Sequence, residues 1–408
     1  MINAFDVLKE RGFVSQVTDE EAVRRAFDEG PVTCYIGFDP TANTLHAGNL
    51  VSIMILAHLQ RCGHLPIALV GVGTASIGDP SGKTELRQML TREELKANAD
   101  GIKTTLSKYL DFQDGKALMV NNADWLMNLQ YIDFLREVGR HFSVNRMLAA
   151  EAYKIRMETG LTFLEFNYQI LQAFDFLMLS RDYNCMMQMG GDDQWGNILA
   201  GVELIRRMDG KSAEAVTTPL VTTASSEKMG KTASGALWLD ASRVSPYDYY
   251  QYWVNTDDRD IEKLLATFTF LPMEEVRRLG SLEGADLREA KSVLAFEATK
   301  ITHGEEEAHK AREAARSVFG GGGDSIDLPT SEISSAEISE GIGVIDLFVE
   351  AGLGKSKGEV RRLIQQGGAY VNGDRIDDIH TAISPEHVDE GALLLRAGKK
   401  RYHKVLVK

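Results

Sequence analysis

The hydrophobic and polar positions of the first 71 residues predict helices followed by a strand, helix, strand unit. Apolar residues recur at helical spacing in residues 3–11 and 19–29, which predicts two amphipathic helices. Residues 33–38 are β-branched and aromatic and predict a short buried strand. Residues 48–61 are apolar on almost every face, as in a helix buried against a sheet, and residues 66–71 predict a second buried strand.

Two further predicted strands, residues 117–120 and 185–189, are each followed by a polar or glycine-rich turn. Strands that alternate with helices are typical of a parallel sheet. We therefore predict an α/β fold with a Rossmann-like, doubly wound parallel sheet over residues 1–223. In such a sheet ligands bind outside the carboxyl ends of the strands, so the turns after these strands should meet at one site.

The rest of the chain predicts four more segments. Residues 224–243 form a loop rich in small residues, and residues 244–319 are helical and charged. Residues 320–342 are rich in Gly, Ser and Glu and predict a flexible linker. Residues 343–408 predict a small C-terminal α+β module, with helices at 345–349 and 356–366 and a strand at 368–374.

The turn after the first strand has the features of an anion site. Asp39 and Pro40 end the strand, because proline fixes φ and carries no N–H group. The following helix begins near His46 and offers unpaired backbone N–H groups, which favour anions. His46 and Asn49 lie three residues apart on its first turn, and Gly48 lets a ligand approach the backbone. By spacing alone, an ordinary helix start remains the commoner explanation.

Other polar residues extend this candidate site, each with a structural alternative. Lys83 and Arg87 could reach one anion together or form a solvated helix face. An acidic residue of the turn at 190–197 would suit a ribose diol. Lys228 and Lys231 lie on a loop that could clamp phosphates or be ordinary surface.

A polar stripe interrupts an otherwise apolar helix predicted over residues 164–181. Tyr168, Gln172 and Asp175 fall at i, i+4 and i+7, on one face. Polar groups on such a helix need partners, so the stripe is either a structural network or the wall of a pocket for a small polar ligand. Residues 126–142 carry an apolar stripe instead, which is either core or a subunit contact.

Composition indicates an ordinary soluble globular protein, with 44% hydrophobic and 25% charged residues in 408. The three cysteines show neither disulfide nor zinc spacing, and residues 1–11 lack a signal-peptide pattern, so we expect a cytoplasmic protein. The net charge of −14 argues against a nucleic-acid partner. Residues 343–408, however, carry 11 Lys or Arg against 9 Asp or Glu, so if a polyanion binds, this segment is the first place to look.

Taken together, these motifs resemble the bacterial tyrosyl-tRNA synthetases, a class I aminoacyl-tRNA synthetase family. Residues 46–49 (His-Ala-Gly-Asn) are similar to the family's HIGH motif, and residues 228–232 (Lys-Met-Gly-Lys-Thr) to its KMSKS loop. The likeness includes residues 35–41, 77–83, 171–175 and 191–197 and covers essentially the whole chain. The C-terminal module resembles an RNA-binding fold shared with a small-subunit ribosomal protein.

The resemblance implies activation of L-tyrosine with ATP to tyrosyl-adenylate and pyrophosphate, then transfer of tyrosine to the 3′-terminal adenosine of tRNA(Tyr). It implies a cytoplasmic homodimer in contact through residues 126–142, Mg²⁺ carried by the triphosphate, and no protein-ligated metal. Residues 224–243 would be the KMSKS-like loop region, residues 244–319 a domain on the anticodon side of the tRNA, and residues 343–408 an RNA-binding domain.

The resemblance also implies roles for individual residues. Tyr35 and Asp175 would hold the phenol of tyrosine. The remaining amino-acid contacts would be Tyr168, Gln172 and Asp79 at the α-amino group, Asn122 close behind them, and Gln194 by the carboxylate. The ATP contacts would be Gly37, Asp39, Pro40, Thr41, His46, Gly48 and Asn49 for the nucleotide, Gly191 and Asp193 for the ribose, and Lys83, Arg87, Lys228, Lys231 and Thr232 for the phosphates. The catalytic residues among these would be His46, Thr41, Lys228, Lys231 and Thr232.

The chain departs from the family pattern at a few positions. Asn49 replaces the usual second His of the HIGH motif, Gly230 and Thr232 replace Ser in the KMSKS loop, and Asp192 adds a charge that could alter nucleotide affinity.

Three other functions remain possible from the sequence. A tryptophanyl-tRNA synthetase would have no use for Tyr35 and Asp175. A structural RNA-binding protein would not need His46, and a small nucleotidyltransferase would explain neither the Lys228 loop nor the C-terminal module.

Overall fold

Five parallel strands form the central sheet of the computed structural model. The strands are β1 (Thr33–Phe38), β2 (Leu65–Val70), β3 (Leu118–Asn121), β4 (Met187–Gly191) and β5 (Glu214–Thr218). Their order in the sheet is β3-β2-β1-β4-β5, which confirms the predicted doubly wound fold. The structure describes residues 2–81, 90–222, 229–232, 235–320, 329–389, 391–398 and 401–408, and at a few of these, including Lys231 and Thr232, only the backbone.

The strand order reverses between β1 and β4, and this reversal positions the site. In register, Tyr35 of β1 lies opposite Ile67 of β2 on one side and Gln188 of β4 on the other. The connections leaving the carboxyl ends of β1 and β4 diverge to opposite sides, which opens a crevice between them.

In the described part of residues 1–209, α-helices precede, separate and follow these strands. They are α1 (Ala4–Glu10), α2 (Glu20–Glu29), α3 (Ala47–Arg61), α4 (Val72–Ala75), α5 (Arg92–Leu106), α6 (Ala123–Leu126), α7 (Tyr131–Glu137), α8 (Val144–Leu148), α9 (Glu151–Thr159), α10 (Phe163–Phe166), α11 (Tyr168–Tyr183) and α12 (Trp195–Asp209). As its composition predicts, α3 is buried along most of its length, from Ala47 to Leu59.

The apolar stripe over residues 126–142 does not form one continuous helix. Helix α6 ends at Leu126 and α7 begins at Tyr131. Between them the Asn128 side chain donates to the Asp124 carbonyl (3.3 Å), a bond that competes with the helical backbone pattern. Only part of the stripe is buried, since Val138 is 2% exposed whereas Ile132 is 65% exposed.

Contacts divide the chain into two units with boundaries different from those predicted. The first unit contains residues 1–244 and 256–302, and the second contains residues 245–255 and 303–408. The predicted helical segment 244–319 is therefore shared between the units. Its helices are α13 (Pro246–Val254) and α17 (Glu305–Gly320) in the second unit, and α14 (Ile261–Phe268), α15 (Met273–Gly280) and, up to Thr302, α16 (Leu287–His303) in the first. A two-stranded hairpin, β6 (Lys231–Thr232) and β7 (Gly235–Ala236), belongs to the first unit.

The second unit is built on a mixed sheet that the sequence predicted only in part. Its strands are β8 (Thr330–Ile333), β10 (Ala369–Val371), β11 (Asp374–Arg375), β13 (Ala392–Ala397) and β14 (Arg401–Val407), in the order β11-β10-β13-β14-β8. A second, two-stranded sheet pairs β9 (Ile342–Gly343) with β12 (Ala382–Ile383). The helices are α18 (Ser335–Glu340), α19 (Val344–Glu350) and α20 (Lys357–Gln365). Alternate residues of β13, Leu393 and Leu395, are buried in the core with Phe348 of α19.

Two sequence-based expectations for this unit are wrong. The strand predicted at 368–374 is a hairpin, because Asn372 and Gly373 adopt left-handed conformations (φ 50° and 93°) between β10 and β11. An Asn-Gly pair between strands is a strong signal for such a turn. The linker predicted at 320–342 also fails over its described part beyond residue 328, where β8 pairs in parallel with β14.

Among the described residues, none of the helices is sufficiently long and apolar to cross a membrane. Cys34, Cys62 and Cys185 are all free thiols, and Cys34 and Cys185 are buried. No pair of them forms a disulfide, which agrees with their spacing in the sequence.

Candidate active site

One cavity of about 370 Å³ is lined by most of the predicted site residues. It lies at the carboxyl ends of β1 and β4, where the strand order reverses. Its lining includes Tyr35, Gly37, Asp39, Thr41, His46, Gly48, Asn49, Asp79, Asn122, Tyr168, Gln172, Asp175, Gly191, Asp193 and Gln194. The residues of both proposed ligand classes, amino acid and nucleotide, therefore share one space.

The other predicted residues are placed as follows. Lys83, Arg87 and Lys228 lie outside the described residues. Lys231 and Thr232 form β6, of which the backbone alone is described. Pro40 does not line the cavity, and its carbonyl oxygen accepts a hydrogen bond from Asn98 (3.0 Å).

The most buried carboxyl group that lines the cavity is that of Asp175, which is 2% exposed. Trp125 Nε1 donates to its Oδ1 (2.7 Å) and Asn122 Nδ2 donates to its Oδ2 (3.0 Å). Burial raises the pKa of Asp175 to about 7, although the two hydrogen bonds favour the ionised form. Asp175 can thus accept a further hydrogen bond when ionised.

Two buried polar atoms of this region lack a hydrogen-bond partner among the described residues. They are Tyr35 Oη and Gln188 Oε1, which lie at the same register on the neighbouring strands β1 and β4 and line the cavity. Burial, followed by the charge of Asp175, raises the pKa of Tyr35 well above its ordinary value, so its hydroxyl keeps its proton. Buried polar groups are normally paired, so this end of the cavity suits a ligand that carries a hydroxyl group.

The middle of the cavity is polar and acidic. Tyr168 Oη donates to Asp39 Oδ2 (3.2 Å), and Gln194 Nε2 donates to Asp79 Oδ2 (2.9 Å). Gln172 Oε1 accepts from Asn197 Nδ2 (3.2 Å). Two carboxylates facing one space favour a cationic group between them, such as an ammonium ion.

Asn122 bonds to two other residues of the cavity. Its Nδ2 group donates to Asp175 Oδ2 (3.0 Å) and to Thr74 Oγ1 (3.0 Å). Trp125, which the sequence analysis did not single out, lies beside it on α6. A tryptophan three residues after Asn122 gave no recognisable signal, because its partner is 50 residues away in the chain.

The amino end of α3 lines the side of the cavity that the family resemblance assigns to the nucleotide. Asn49 Oδ1 accepts from the His46 backbone N–H (3.2 Å), and His46 Nδ1 accepts from the Gly48 backbone N–H (3.0 Å). Asn49 therefore caps the helix while it lines the cavity. Because Nδ1 acts as an acceptor, the proton of a neutral His46 ring lies on Nε2 and can be donated to an anion.

The chain after the hairpin pairs with this helix end. Ala47 N donates to Leu237 O (2.8 Å) and Leu239 N donates to Leu45 O (3.0 Å), with His46 opposite Trp238. The Trp238 ring meets the His46 ring nearly edge-on, at 5.8 Å between centroids. The guanidinium of Arg243 also packs on the Trp238 ring, 4.5 Å from its centre. The imidazole is thus held between its helix cap and an aromatic neighbour.

Gly230 lets the hairpin approach this helix end. Its φ of +82° is unfavourable for residues with a side chain, and a Cβ there would lie 3.0 Å from Gly48 N and 3.1 Å from Ala47 Cβ. The glycine that replaces the serine of the KMSKS pattern is therefore required by the backbone in this arrangement.

Comparisons with known proteins find relatives of both the N-terminal and the C-terminal parts of the chain. Residues 28–320 match the model for tRNA synthetases class I (W and Y), and residues 325–405 match the tyrosine–tRNA ligase SYY-like C-terminal domain. The tyrosine–tRNA ligase of Clostridium beijerinckii is 54% identical over 408 residues, with 100% of both chains covered. That of Caldanaerobacter subterraneus subsp. tengcongensis is 55% identical over 407 residues, again with 100% of both chains covered.

The chain belongs to the tyrosine–tRNA ligases of class I.

A solved structure supports this family assignment at the level of the fold and sequence. A C-terminally truncated mitochondrial tyrosyl-tRNA synthetase from Aspergillus nidulans is 30% identical, with a TM-score of 0.71. The match covers 78% of this chain and 95% of that one. The predicted family resemblance is therefore confirmed.

Within this ligase, Asp192 bonds away from the cavity. Its Oδ2 accepts from Ser15 Oγ (2.8 Å), and its Oδ1 accepts from Thr217 Oγ1 (2.5 Å) and Gln16 Nε2 (3.3 Å). Asp192 is not among the residues that line the cavity, whereas Asp193 is. The extra charge thus holds the segment before α2 against the end of β5, instead of facing a nucleotide.

We expect the substitution Asp192→Ser to lower the free energy of unfolding by about 1–3 kcal/mol, the usual effect of losing hydrogen bonds to a charged group. The KM for ATP should change less than twofold, because the side chain is turned away from the cavity. Chemical denaturation and pyrophosphate exchange at varied ATP would measure the two quantities. A large rise in the KM for ATP with unchanged stability would contradict this assignment.

We expect Gly230→Ala to slow adenylate formation by this ligase about tenfold. An alanine in the left-handed region costs about 1–2 kcal/mol, and the Cβ would press on Gly48, so the hairpin would leave the helix end. Gly210→Ala is the matched control, since Gly210 has a φ of +67° and no atom within 4 Å of the added Cβ. Equal rates for the two variants in pre-steady-state measurements would show that the contact with Gly48 is unimportant.

The selectivity of this ligase should depend on pH near neutrality. Burial places the pKa of Asp175 at about 7, so the carboxyl gains a proton as the pH falls through 7 and loses acceptor capacity for the phenol. We expect kcat/KM for tyrosine to fall about tenfold from pH 8 to pH 6, and that for phenylalanine to fall less than twofold. Asp175→Asn serves as the control, since its tyrosine to phenylalanine ratio should not vary with pH. A constant ratio in the unmodified enzyme would refute the prediction.

Proposed function

We propose that this cavity joins L-tyrosine to ATP and then passes the tyrosyl group to tRNA(Tyr). The observation that carries the proposal is the pairing, in one cavity, of a buried hydroxyl-binding end at Asp175 with an anion-binding helix end at His46. The acidic middle, with Asp39 and Asp79, lies between them and suits the α-ammonium group. The three regions thus suit the phenol hydroxyl of tyrosine, its ammonium group, and the anionic carboxylate and triphosphate that react.

The reaction needs no nucleophile from the protein. In the first step the tyrosine carboxylate forms a bond to the α-phosphorus of ATP, and the bond to pyrophosphate breaks. In the second, a hydroxyl of the 3′-terminal adenosine attacks the tyrosyl carbonyl and AMP leaves. The protein contributes orientation of the two anions and donors for the charge that grows on the leaving group. His46 and the backbone N–H groups of α3 are suited to the second task.

ATP is the nucleotide substrate, and Mg²⁺ enters the proposal as the ion that accompanies its triphosphate. Among the described residues, no group of three or more His, Cys, Asp or Glu side chains could hold a metal ion. We propose that phosphate oxygens of the nucleotide hold the ion. Mg²⁺ neutralises phosphate charge when it is bound.

Pyrophosphate exchange, run with each amino acid in turn, tests the proposed activity. We expect exchange with tyrosine and none with tryptophan, because a tryptophan side chain carries no hydroxyl for Tyr35 and Asp175. Exchange with tryptophan alone would assign the chain to the other amino acid of the matched class I group. Absence of exchange with every amino acid would support a noncatalytic RNA-binding protein.

We propose that residues 343–408 bind tRNA(Tyr), with 244–319 on the anticodon side. The match of residues 325–405 to the C-terminal domain of tyrosine–tRNA ligases supports the first assignment, as do the exposed Arg361 and Arg362 on α20. Replacing both arginines by alanine should raise the KM for tRNA in aminoacylation and leave pyrophosphate exchange unchanged. An equal loss in both assays would place the arginines outside the RNA-binding surface.

We also propose that the protein is a cytoplasmic homodimer. Free cysteines fit a reducing compartment. Tyr131, Ile132 and Val144 are large apolar side chains that are 58%, 65% and 56% exposed, which favours a subunit contact near residues 126–142. Sedimentation of Ile132→Asp should then show a monomer, with Ile2→Asp, at another exposed apolar residue, as the control. A monomeric unmodified protein would exclude the dimer.

A further inference from the structure

Thr74 occupies a central place in the cavity that none of the sequence motifs indicated. It lies on α4, the short helix that follows β2, and is 3% exposed. It also lines the cavity, between the residues of the phenol end and those of the acidic middle. A buried hydroxyl in this place must be satisfied by its surroundings.

The Thr74 hydroxyl is hydrogen-bonded on both sides. Thr74 Oγ1 accepts from Asn122 Nδ2 (3.0 Å), and the same Asn122 amide donates to Asp175 Oδ2 (3.0 Å). On its other side Thr74 Oγ1 donates to Asp39 Oδ1 (2.9 Å). Asp39 in turn accepts from Tyr168 Oη (3.2 Å). A continuous series of side chains thus runs from Asp175 to Tyr168.

The direction of these hydrogen bonds follows from their chemistry. Asn122 Oδ1 accepts from the Gly73 backbone N–H (2.7 Å), so the Nδ2 group must face Thr74 and Asp175. Since Thr74 Oγ1 accepts from Asn122, its only hydrogen is left for a second acceptor. Asp39 Oδ1 at 2.9 Å is closer than the alternative, Gly71 O at 3.2 Å, and is a carboxylate oxygen. The Thr74 hydroxyl therefore accepts a hydrogen bond from the Asn122 amide and donates one to the Asp39 carboxylate.

The two acids of this series, Asp175 and Asp39, also interact electrostatically. Burial is the main cause that raises the pKa of Asp175, and the charge of Asp39 raises it further. A residue that fixes the position of the Asp39 carboxyl therefore also affects the pKa of Asp175.

We propose that Thr74 is a positioning residue that couples phenol recognition at Asp175 to the orientation of Asp39 and Tyr168 in the middle of the cavity. Its hydroxyl keeps the Asn122 amide aimed at Asp175 while it keeps Asp39 turned toward Tyr168. Selectivity for tyrosine over phenylalanine then depends on a residue that need not touch the phenol. The inference rests on the proposed roles of Asp175 and Tyr35 at that end of the cavity.

The first test compares Thr74→Val, which keeps the shape and removes the hydroxyl, with Thr74→Ser, which keeps the hydroxyl. We expect Thr74→Val to lower kcat/KM for tyrosine in pyrophosphate exchange, and its ratio to that for phenylalanine, about tenfold. Thr74→Ser should keep the ratio within twofold of the unmodified enzyme. A ratio unchanged in Thr74→Val, or lost equally in Thr74→Ser, would overturn the proposal.

The second test asks whether the two ends are coupled. Tyr168→Phe, at the far end of the series, should lower the tyrosine to phenylalanine ratio about threefold in the unmodified enzyme and hardly at all in Thr74→Val. The same fold-change in both backgrounds would show independent sites and refute the coupling. Thermal unfolding checks that each variant folds, and Thr74→Ala replaces Thr74→Val in both tests if the valine variant does not.

These tests separate the inference from the proposed function. Tyrosine-dependent exchange by the unmodified enzyme, together with loss of selectivity on changing Asp175, would establish the phenol site whatever Thr74 does. Absence of tyrosine-dependent exchange would instead remove the proposed function, and the inference with it.

Discussion

The double substitution Tyr35→Phe with Asp175→Ala is expected to reduce the selectivity of the enzyme for tyrosine over phenylalanine by about 10²–10³-fold. The two groups are buried at the end of the cavity, where Tyr35 Oη has no partner among the described residues and Asp175 has acceptor capacity left. A hydrogen bond to a charged group contributes about 1.5–3 kcal/mol and one between neutral groups about 1 kcal/mol. Removing both leaves the phenol hydroxyl buried without partners, while phenylalanine loses nothing.

Pyrophosphate exchange with each amino acid gives the two values of kcat/KM that enter this selectivity. Asp182→Ala is a suitable control, because Asp182 lies on the same helix as Asp175 and is exposed. An unchanged ratio in the double variant, with both proteins folded, would show that the phenol binds elsewhere. Trp125→Phe should have a smaller effect in the same direction, since it removes one of the two hydrogen bonds that orient Asp175.

His46→Ala is expected to slow adenylate formation about 100-fold while tyrosine affinity changes less than twofold. Loss of a single preorganised donor to the developing charge typically costs this much in rate. His46 lies at the amino end of α3 and not at the phenol end, so tyrosine should bind as before. Pre-steady-state adenylate formation and equilibrium tyrosine binding measure the two effects. We expect the same result for Lys231→Ala, because the family resemblance implies a phosphate contact for Lys231, whose side chain lies outside the described part of the structure.

His46→Asn is the matched variant for this experiment. Asparagine can cap a helix and keeps an N–H donor, so it should retain part of the rate. His46→Ala also removes the bond from Gly48 N to the ring, so some loss of stability is expected from the missing cap. An equal loss of tyrosine affinity in both variants would contradict the separation of the cavity into a phenol end and a nucleotide end.

Much of the fold of the first unit follows from local features of the sequence, although β5 was not predicted. Strand β1 was predicted at its observed bounds, and α3 differs from its prediction by a residue. Short apolar segments and helix starts depend on neighbouring residues, so a single sequence contains their signal. The second unit was less predictable. The apolar run of β13 gives the same local signal as a buried helix turn, and β8 depends on its partner β14, about 70 residues away.

The sequence by itself determined which residues could meet at the site, because the carboxyl ends of parallel strands share one edge of the sheet. Only the tertiary structure decided how they are connected. The bonds of Thr74 to Asn122, of Trp125 to Asp175 and of Asp192 to Ser15 join residues that are 48, 50 and 177 positions apart. Periodicity describes one element at a time, whereas a hydrogen bond between distant elements depends on how the whole unit packs. The local sequence pattern therefore does not predict the hydrogen bonds that orient the carboxyl groups in and around this cavity.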